Sequence, residues 1–320
     1  MLSNRPTLDD IKNARILTES LVRKTPVLTS NYFNDLLGME LFFKCENFQK
    51  TGSFKIRGAS NAIFSLNESE SKQGVACQSS GNHGGAIACA AHLKGIHADI
   101  VMAKSVSKAK IHNVKTYNGN MIFCDTMAER DELFLKTVED NNRISIHPYD
   151  NYSVMAGQGT IGVEIESQID KLDGIIVAVG GGGLIGGIGS YLKSVWPDIQ
   201  VIGCSPENSA VMIHSIKTEE ILDLESKPTL SDGTAGGVEK ESITFPICKD
   251  IIDQTILVSE TEIQNGMLKF LENERMLLEG AAGTAVAALI KMKDELKGKK
   301  VGVVICGGNI SLDVLKKVLK

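Results

Sequence analysis

A lysine between apolar residues is the first feature of this sequence that could do chemistry. Lys55 lies between Phe54 and Ile56 in the segment TGSFKIRG, 51–58. An apolar environment lowers the pKa of a lysine amine, and a neutral amine can act as a base or form a Schiff base. A surface lysine at the start of a helix fits the segment equally well. Lys55 alone therefore leaves the chemistry open.

A run of four glycines is the second such feature. The apolar segment 175–179 before the run predicts a strand, and a helix is predicted to begin near Leu184. Glycines let the backbone approach an anion closely, and a helix start offers N–H groups and the positive end of the dipole. Four glycines cost more conformational entropy than a plain turn justifies. We therefore predict a phosphate site at Gly180, Gly181, Gly182 and Gly183.

The residues around this loop narrow the kind of phosphate. The lysine and the Ser/Thr of a P-loop are missing, which argues against a nucleoside triphosphate. Gly180 and Gly182 begin like a dinucleotide fingerprint, but no acidic residue ends a following strand at the expected distance. An NAD(P)-dependent oxidoreductase also gives Lys55 no role.

A polar loop predicts an anion site of a different kind. The predicted strand 75–78 leads into a Ser-Ser-Gly-Asn-His sequence, which opens a helix of small residues, 84–91. Hydroxyl, amide and backbone N–H groups at a helix start suit a carboxylate. The ordinary structural alternatives are a helix cap at Ser80 and a capping or core role for His83. The loop residues are Ser79, Ser80, Gly81, Asn82 and His83.

Apolar runs alternate with helix-like stretches along the chain, which predicts an α/β fold with parallel strands and helices on both faces. The chain has 320 residues, so two domains are expected. No linker marks a boundary, but the strand–helix alternation of residues 76–146 could be a smaller lobe. We predict a large domain of residues 1–72 and 149–320, with a small inserted domain of residues 73–148.

Composition and charge exclude several classes of protein. The net charge is −5 and no basic block stands out, so no nucleic-acid partner is expected. The seven cysteines show no C-x-x-C spacing, which argues against a zinc site or a disulfide framework and favours a reducing cytoplasm. Neither a signal peptide nor a membrane-spanning stretch is apparent.

Together, these segments resemble the fold-type II pyridoxal 5′-phosphate (PLP) family of serine/threonine dehydratases and serine racemases. The likeness runs from Arg23 to Asn309 and keeps the order of the family's motifs. These are SFKIRG at 53–58, SSGNHG at 79–84, AGQGT at 156–160 and the four glycines. The resemblance implies the tryptophan synthase β-like fold, with two parallel-sheet lobes, and PLP as the cofactor.

The resemblance also implies a set of cofactor contacts. Lys55 would hold PLP through a Schiff base, Phe54 would pack beside it, and Asn82 would bond its ring 3′-oxygen. Backbone N–H groups of Gly180, Gly181, Gly182, Gly183 and Leu184 would bind its phosphate. Glu279 would lie near the ring. Cys306 matches the position that faces the pyridine nitrogen, where a neutral partner favours prompt β-elimination.

Substrate contacts follow from the same resemblance. The residues around the substrate carboxylate would be Ser79, Ser80, Asn82 and His83. Serine racemases keep a second proton-transfer group at the position of Ser80, on the face opposite the lysine. Arg130 is a looser candidate for a substrate contact, because its alignment needs a gap.

One departure from the family concerns a divalent cation. Metal-activated relatives place an acidic ligand just before a proline, where this chain has Ser205 before Pro206. Val211 stands where another carboxylate is expected. Unless Glu207 compensates, this argues against the usual Mg²⁺, Mn²⁺ or Ca²⁺ site, and no metal ligands are assigned.

The expected function is elimination of water and ammonia from a small β-hydroxy amino acid such as L-threonine or L-serine. Lys55 would take the α-proton, and a 2-oxo acid would form. The segments 231–237 and 279–283 look closer to dehydratases of the hydroxyectoine-utilisation type. An amino acid racemase, acting on serine or 3-hydroxyaspartate, is the main alternative, and a non-catalytic binding module is a second. The resemblance implies a homodimer.

Overall fold

The apolar runs of the sequence form mostly parallel strands in the computed structural model, which describes residues 5–79, 81–104, 106 and 108–320. In chain order the strands are β1 Val27–Leu28, β2 Glu40–Cys45, β3 Val75–Gln78, β4 Ala98–Ala103, β5 Asn120–Cys124, β6 Ile144–Ser145, β7 Gly174–Ala178, β8 Gln200–Pro206, β9 Gln254–Val258 and β10 Lys300–Ile305. Within the described residues they make a six-stranded sheet, ordered β1–β2–β10–β7–β8–β9, and a four-stranded sheet, ordered β5–β4–β3–β6. Only the β1–β2 pair in these two sheets is antiparallel.

Helices connect the strands and cover the sheets. In chain order they are α1 Leu8–Thr18, α2 Asn31–Leu37, α3 Lys55–Phe64, α4 Glu68–Gln73, α5 Asn82–Lys94, α6 Lys108–Thr116, α7 Met127–Asp140, α8 Tyr152–Gln168, α9 Gly183–Val195, α10 Val211–Thr218, α11 Thr244–Ile251, α12 Glu260–Glu274, α13 Gly280–Lys291, α14 Lys293–Leu296 and α15 Leu312–Val318, with a short 3-10 turn at Glu46–Phe48. Helix α1 begins directly after Thr7, because Thr7 and Asp10 form a capping box.

The larger sheet is built around β10, whose centre is buried on both faces. Val303 of β10 lies in register with Phe43 of β2 on one side and Ile176 of β7 on the other. Strands covered on both faces read as continuous apolar runs, which is why the sequence located them. The predicted α/β fold with parallel sheets is confirmed. All four strands of the smaller sheet lie between Val75 and Ser145, while the domain boundaries themselves stay a prediction.

Helix α3, which begins at Lys55, is held against α8 by small residues. A Cβ on Gly157 would lie only 2.6 Å from Cα of Gly58 and 2.7 Å from the Arg57 carbonyl oxygen. Only glycine therefore allows the two helices to approach this closely. The start of α3 is fixed by the same contact.

A buried network of four charged side chains joins α3 to α8 and to β2 with the turn that follows it. Arg57 donates from Nε to Glu46 Oε2 at 2.7 Å and from Nη1 to Glu164 Oε1 at 2.9 Å. Lys44 donates from Nζ to Glu164 Oε2 at 2.6 Å. These side chains are at most 2% exposed. The network, with two positive and two negative charges, links β2, α3 and α8.

Burial and pairing act against each other in this network. Burial alone would raise the pKa of Glu164, but its bonds to Arg57 and Lys44 outweigh burial and hold that pKa below its usual value. For Lys44, burial dominates and lowers the pKa, despite the nearby carboxylates of Glu164 and Glu46. A charge left without its partner at this depth is costly.

Replacement of Glu164 by glutamine should therefore destabilise the protein strongly. Glu164→Gln leaves only the Glu46 carboxylate against the two buried positive charges of Lys44 and Arg57, and we expect the free energy of unfolding to fall by about 3–5 kcal/mol. The control is Glu68→Gln in the exposed pair with Lys72, for which a loss below about 1 kcal/mol is expected. Urea unfolding followed by circular dichroism gives both values. Equal losses in the two variants would contradict the role assigned to the network.

No helix in the described part of the chain has both the length and the apolar character that a membrane crossing needs.

Candidate active site

A pocket of about 400 Å³ lies where the carboxyl ends of three strands meet. Its wall includes residues that follow β3, β7 and β10, and Lys55 at the start of α3. Open parallel sheets bind ligands at this edge, because successive loops and helix starts converge there. The lysine, the glycine run and the polar loop, far apart in the sequence, therefore line one pocket.

Lys55 is the first residue of α3, and its amine donates to the Pro148 carbonyl oxygen at 2.7 Å. The side chain keeps some exposure because it faces the pocket, while the amine is surrounded by protein atoms. Burial lowers the pKa of the amine to about 8, although the acidic groups of Cys306 and Glu279 oppose this shift. The residue is at a helix start, as one interpretation of the sequence had it, but it is not a surface lysine.

The four glycines form a cradle that side chains would fill. A Cβ on Gly181 would overlap the Tyr149 ring, and one on Gly183 would lie 2.9 Å from Tyr149 Cα. Gly182 has φ +87°, the left-handed region that favours glycine, and caps the start of α9. The loop thus brings backbone and a helix start to the pocket wall, as a phosphate site requires.

A chain of polar groups crosses the floor of the pocket. Cys306 Sγ lies 3.8 Å from Glu279 Oε1. Asn82 donates from Nδ2 to both Glu279 oxygens, at 3.0 and 2.8 Å. Asn309 donates from Nδ2 to Asn82 Oδ1 at 2.8 Å and to the Thr51 carbonyl oxygen at 2.8 Å. Asn309 therefore fixes which end of the Asn82 amide faces Glu279.

Both acidic groups of this chain are held towards their neutral forms. Burial raises the pKa of Glu279 to about 7, although the hydrogen bond from Asn82 opposes the shift. Burial and the neighbouring Glu279 carboxyl raise the pKa of the Cys306 thiol well above its usual value. Cys306 is therefore a neutral thiol at pH 7.

Residues of the smaller sheet close the opposite side of the pocket. Ser79, Asn82, His83 and Arg130 all line it, whereas Ser80 lies outside the described residues. Ser79 Oγ accepts from Gly81 N at 3.2 Å, and Arg130 is paired with Asp131 at 3.1 Å. Helix α5 has no side-chain cap, so its first N–H groups are available to an anion.

Several further residues of the pocket were missed in the sequence, among them Tyr149, Lys110 and Asp232. Tyr149 packs on the glycine loop, and its hydroxyl lies 3.4 Å from the Gly237 carbonyl oxygen. Lys110 of α6 pairs with Asp232 at 2.6 Å. All of these residues line the pocket. No local pattern distinguishes the three residues, since their place depends on the meeting of distant segments.

Ser205 and Val211, which stand where metal-activated relatives have acidic ligands, do not fit a divalent cation. Ser205 is fully buried, and its hydroxyl donates to the Val179 carbonyl oxygen at 2.7 Å. Val211 is buried and apolar. Among the described residues, no group of three or more His, Cys, Asp or Glu side chains could hold a metal ion.

Comparison with known proteins decides which family this pocket belongs to. The model of the pyridoxal-phosphate-dependent enzyme family matches residues 18–307. The chain belongs to this family. Its cofactor is therefore pyridoxal phosphate, as the sequence predicted.

Individual relatives cover nearly the whole chain. Serine racemase from Dictyostelium discoideum is 41% identical over 318 residues, which cover 98% of each chain. L-threonine ammonia-lyase from Thermotoga maritima is 39% identical, with 98% of this chain and 78% of that protein covered. The structure of maize serine racemase superposes with a TM-score of 0.93 at 34% identity, covering 98% of this chain and 97% of that one.

The pocket fits pyridoxal phosphate in three ways. The buried Lys55 amine can bond the aldehyde, the glycine cradle has no room for side chains, and the floor offers the polar groups of Asn82, Glu279 and Cys306. Each part supplies a different chemical function that the cofactor needs. The individual contacts expected from the resemblance stay predictions.

A side chain in the glycine cradle should weaken cofactor binding. Gly182→Ala would put a Cβ 2.6 Å from Cys248 Sγ at a left-handed residue, so the loop must shift. We expect the affinity for PLP to fall at least about tenfold. Gly174→Ala, at the other end of β7, is the control, because its Cβ would meet nothing closer than 3.5 Å. Titration of the apoprotein by visible absorption measures both affinities, and equal affinities would contradict the cradle.

The lowered pKa of Lys55 predicts how cofactor attachment depends on pH. Only the neutral amine attacks an aldehyde, and roughly a tenth of an amine with a pKa of about 8 is neutral at pH 7. The rate constant for PLP attachment to the apoprotein should rise with pH and level off above about 8. An N-acetyl-lysine amine under the same conditions should keep rising towards pH 10, and the ratio of the two rates cancels the ionisations of PLP itself. Parallel pH profiles would contradict the lowered pKa.

Proposed function

We propose that this protein is an ammonia-lyase that converts a small β-hydroxy amino acid, such as L-threonine or L-serine, into a 2-oxo acid and ammonia. The observation that carries the proposal is the buried Lys55 amine, with its pKa lowered to about 8, in one pocket with the glycine cradle. The T. maritima relative with threonine ammonia-lyase activity supports it.

Each group of the pocket has a part in this reaction. Lys55 and the glycine cradle would hold pyridoxal phosphate, which would supply an electron sink that makes the α-proton of the substrate acidic. Lys55 takes that proton on Nζ, since an amine of lowered pKa is a base near neutral pH. The start of α9 binds the phosphate and so fixes the position of the reacting carbon.

Cys306, Tyr149 and the Lys110–Asp232 pair favour elimination in this proposal. Cys306, which would face the ring nitrogen, is a neutral thiol and would put no negative charge there, which would favour prompt loss of the β-hydroxyl. We also propose that Tyr149 and the Lys110–Asp232 pair, which line the pocket, limit the entry of water.

Racemisation of serine is the second candidate, and the 41% identity to the Dictyostelium serine racemase favours it. It requires a proton donor on the face opposite Lys55. Ser80 is our candidate for that donor, as the resemblance implies. Elimination and racemisation begin with the same removal of the α-proton by Lys55. A homodimer in the cytoplasm stays a prediction for either activity.

One incubation distinguishes the two activities and names the substrate. Purified protein with PLP is given L-serine, L-threonine or L-threo-3-hydroxyaspartate, with and without EDTA, and 2-oxo acid and D-enantiomer are quantified together. We expect 2-oxo acid to dominate and EDTA to have no effect, because the cation ligands are missing. A dominant D-enantiomer would make the protein a racemase. Lys55→Ala should abolish both products, and activity in that variant would refute Lys55 as the base.

A further inference from the structure

His83 has one ring nitrogen whose role is fixed by a backbone contact. Its Nε2 lies 2.9 Å from the Ile146 carbonyl oxygen. A carbonyl oxygen only accepts hydrogen bonds, so Nε2 must carry a proton and donate. The ring is 2% exposed, at the second residue of α5.

The other ring nitrogen, Nδ1, is a hydrogen-bond acceptor without a donor among the described residues. Burial lowers the pKa of His83 to about 3, helped by the positive charge of Lys55, so the imidazole is neutral. A neutral ring with a proton on Nε2 has none on Nδ1. Nδ1 is buried and has no hydrogen-bond partner among the described residues. Buried polar atoms in native proteins nearly always have one.

The pocket that His83 lines is the place from which such a donor can come. His83 lines the same pocket as Lys55, and the Lys55 charge acts on its ring. The pocket is the place where substrate binds under the proposed function. A substrate group that donates a hydrogen bond can therefore satisfy Nδ1.

The substrate offers three polar groups, and only one remains free to donate. Its carboxylate only accepts, so the ring of His83 cannot bond it, although the backbone N–H of His83 still can. Its amine is the group that joins the cofactor. The β-hydroxyl is the donor that is left.

We propose that His83 accepts a hydrogen bond on Nδ1 from the β-hydroxyl of the substrate, and so selects β-hydroxy amino acids. The inference rests on the proposed function and adds the group that recognises the leaving hydroxyl. A hydroxyl that donates to His83 keeps its oxygen lone pairs free for the proton that Lys55 has taken from the α-carbon, and with that proton it leaves as water. His83 itself gives up no proton in this step.

The consequence is a preference that depends on the leaving group. When the acceptor is removed from a site that pairs with a hydroxyl, kcat/KM falls most for the substrates that carry that hydroxyl. In 3-chloro-L-alanine the leaving chloride has no proton to donate. Loss of the acceptor should therefore harm elimination from L-serine more than elimination from 3-chloro-L-alanine.

The test compares kcat/KM for these two substrates in the holoenzyme and in His83→Leu. We expect the ratio of L-serine to 3-chloro-L-alanine to fall at least about tenfold. Partial recovery of the ratio is expected in His83→Asn, whose side-chain oxygen can accept. His92→Leu, an exposed histidine on the same helix, is the control with an unchanged ratio. A ratio of two rates is independent of the fraction of protein that is folded.

An unchanged ratio in His83→Leu would overturn the inference, since a purely structural role or a carboxylate contact would lower both rates alike. If the wild-type protein forms 2-oxo acid from none of the hydroxy amino acids, the proposed function is refuted, and the His83 inference with it. Wild-type protein provides an independent check if the variants do not fold. The ¹⁵N shift of His83 Nδ1 should stay that of an unprotonated nitrogen from about pH 6 to about pH 9, and a protonated Nδ1 would overturn the inference.

Discussion

Arg57 lies fully buried between the carboxylates of Glu46 and Glu164, two residues after Lys55. Desolvation makes such a charge expensive, and its cost is offset only while every partner stays in place. The segments that provide those partners, α8 and the 3-10 turn that follows β2, therefore cannot shift relative to α3. Because α3 begins at Lys55, the position of the reactive amine depends on this network. Stability and active-site geometry are thus coupled through the same buried charges.

The second constraint is the parallel arrangement of the strands. Loops after β3, β7 and β10 emerge at one edge of their sheets and form the walls of a single pocket. One wall is the glycine cradle at the start of α9, where we propose that the phosphate binds. The floor is a hydrogen-bonded chain from Asn309 to Cys306, in which burial keeps the acidic members near their neutral forms. The fold thereby places two different environments in the pocket that Lys55 lines.

The sequence predicted those features whose signal is local. Apolar runs located the strands of the parallel sheets, and the glycine run lies in the wall of the pocket, where its role as a phosphate site stays a prediction. The motif around Lys55 suggested the amine but left its burial open, because burial depends on Pro148 and on residues of distant segments. Tyr149, Lys110 and Asn309 carry no local signal, since each acts through a tertiary contact. The ring of His83 illustrates the limit best, because one bond to Ile146 decides which nitrogen can accept.

The most direct test of the account asks which lysine holds the cofactor. Borohydride reduction of the holoenzyme fixes pyridoxal phosphate to its lysine, and proteolysis with mass spectrometry then locates the label. The account predicts the label on the peptide that contains Lys55. A label on another lysine, or none on a protein that retains bound cofactor, would contradict it.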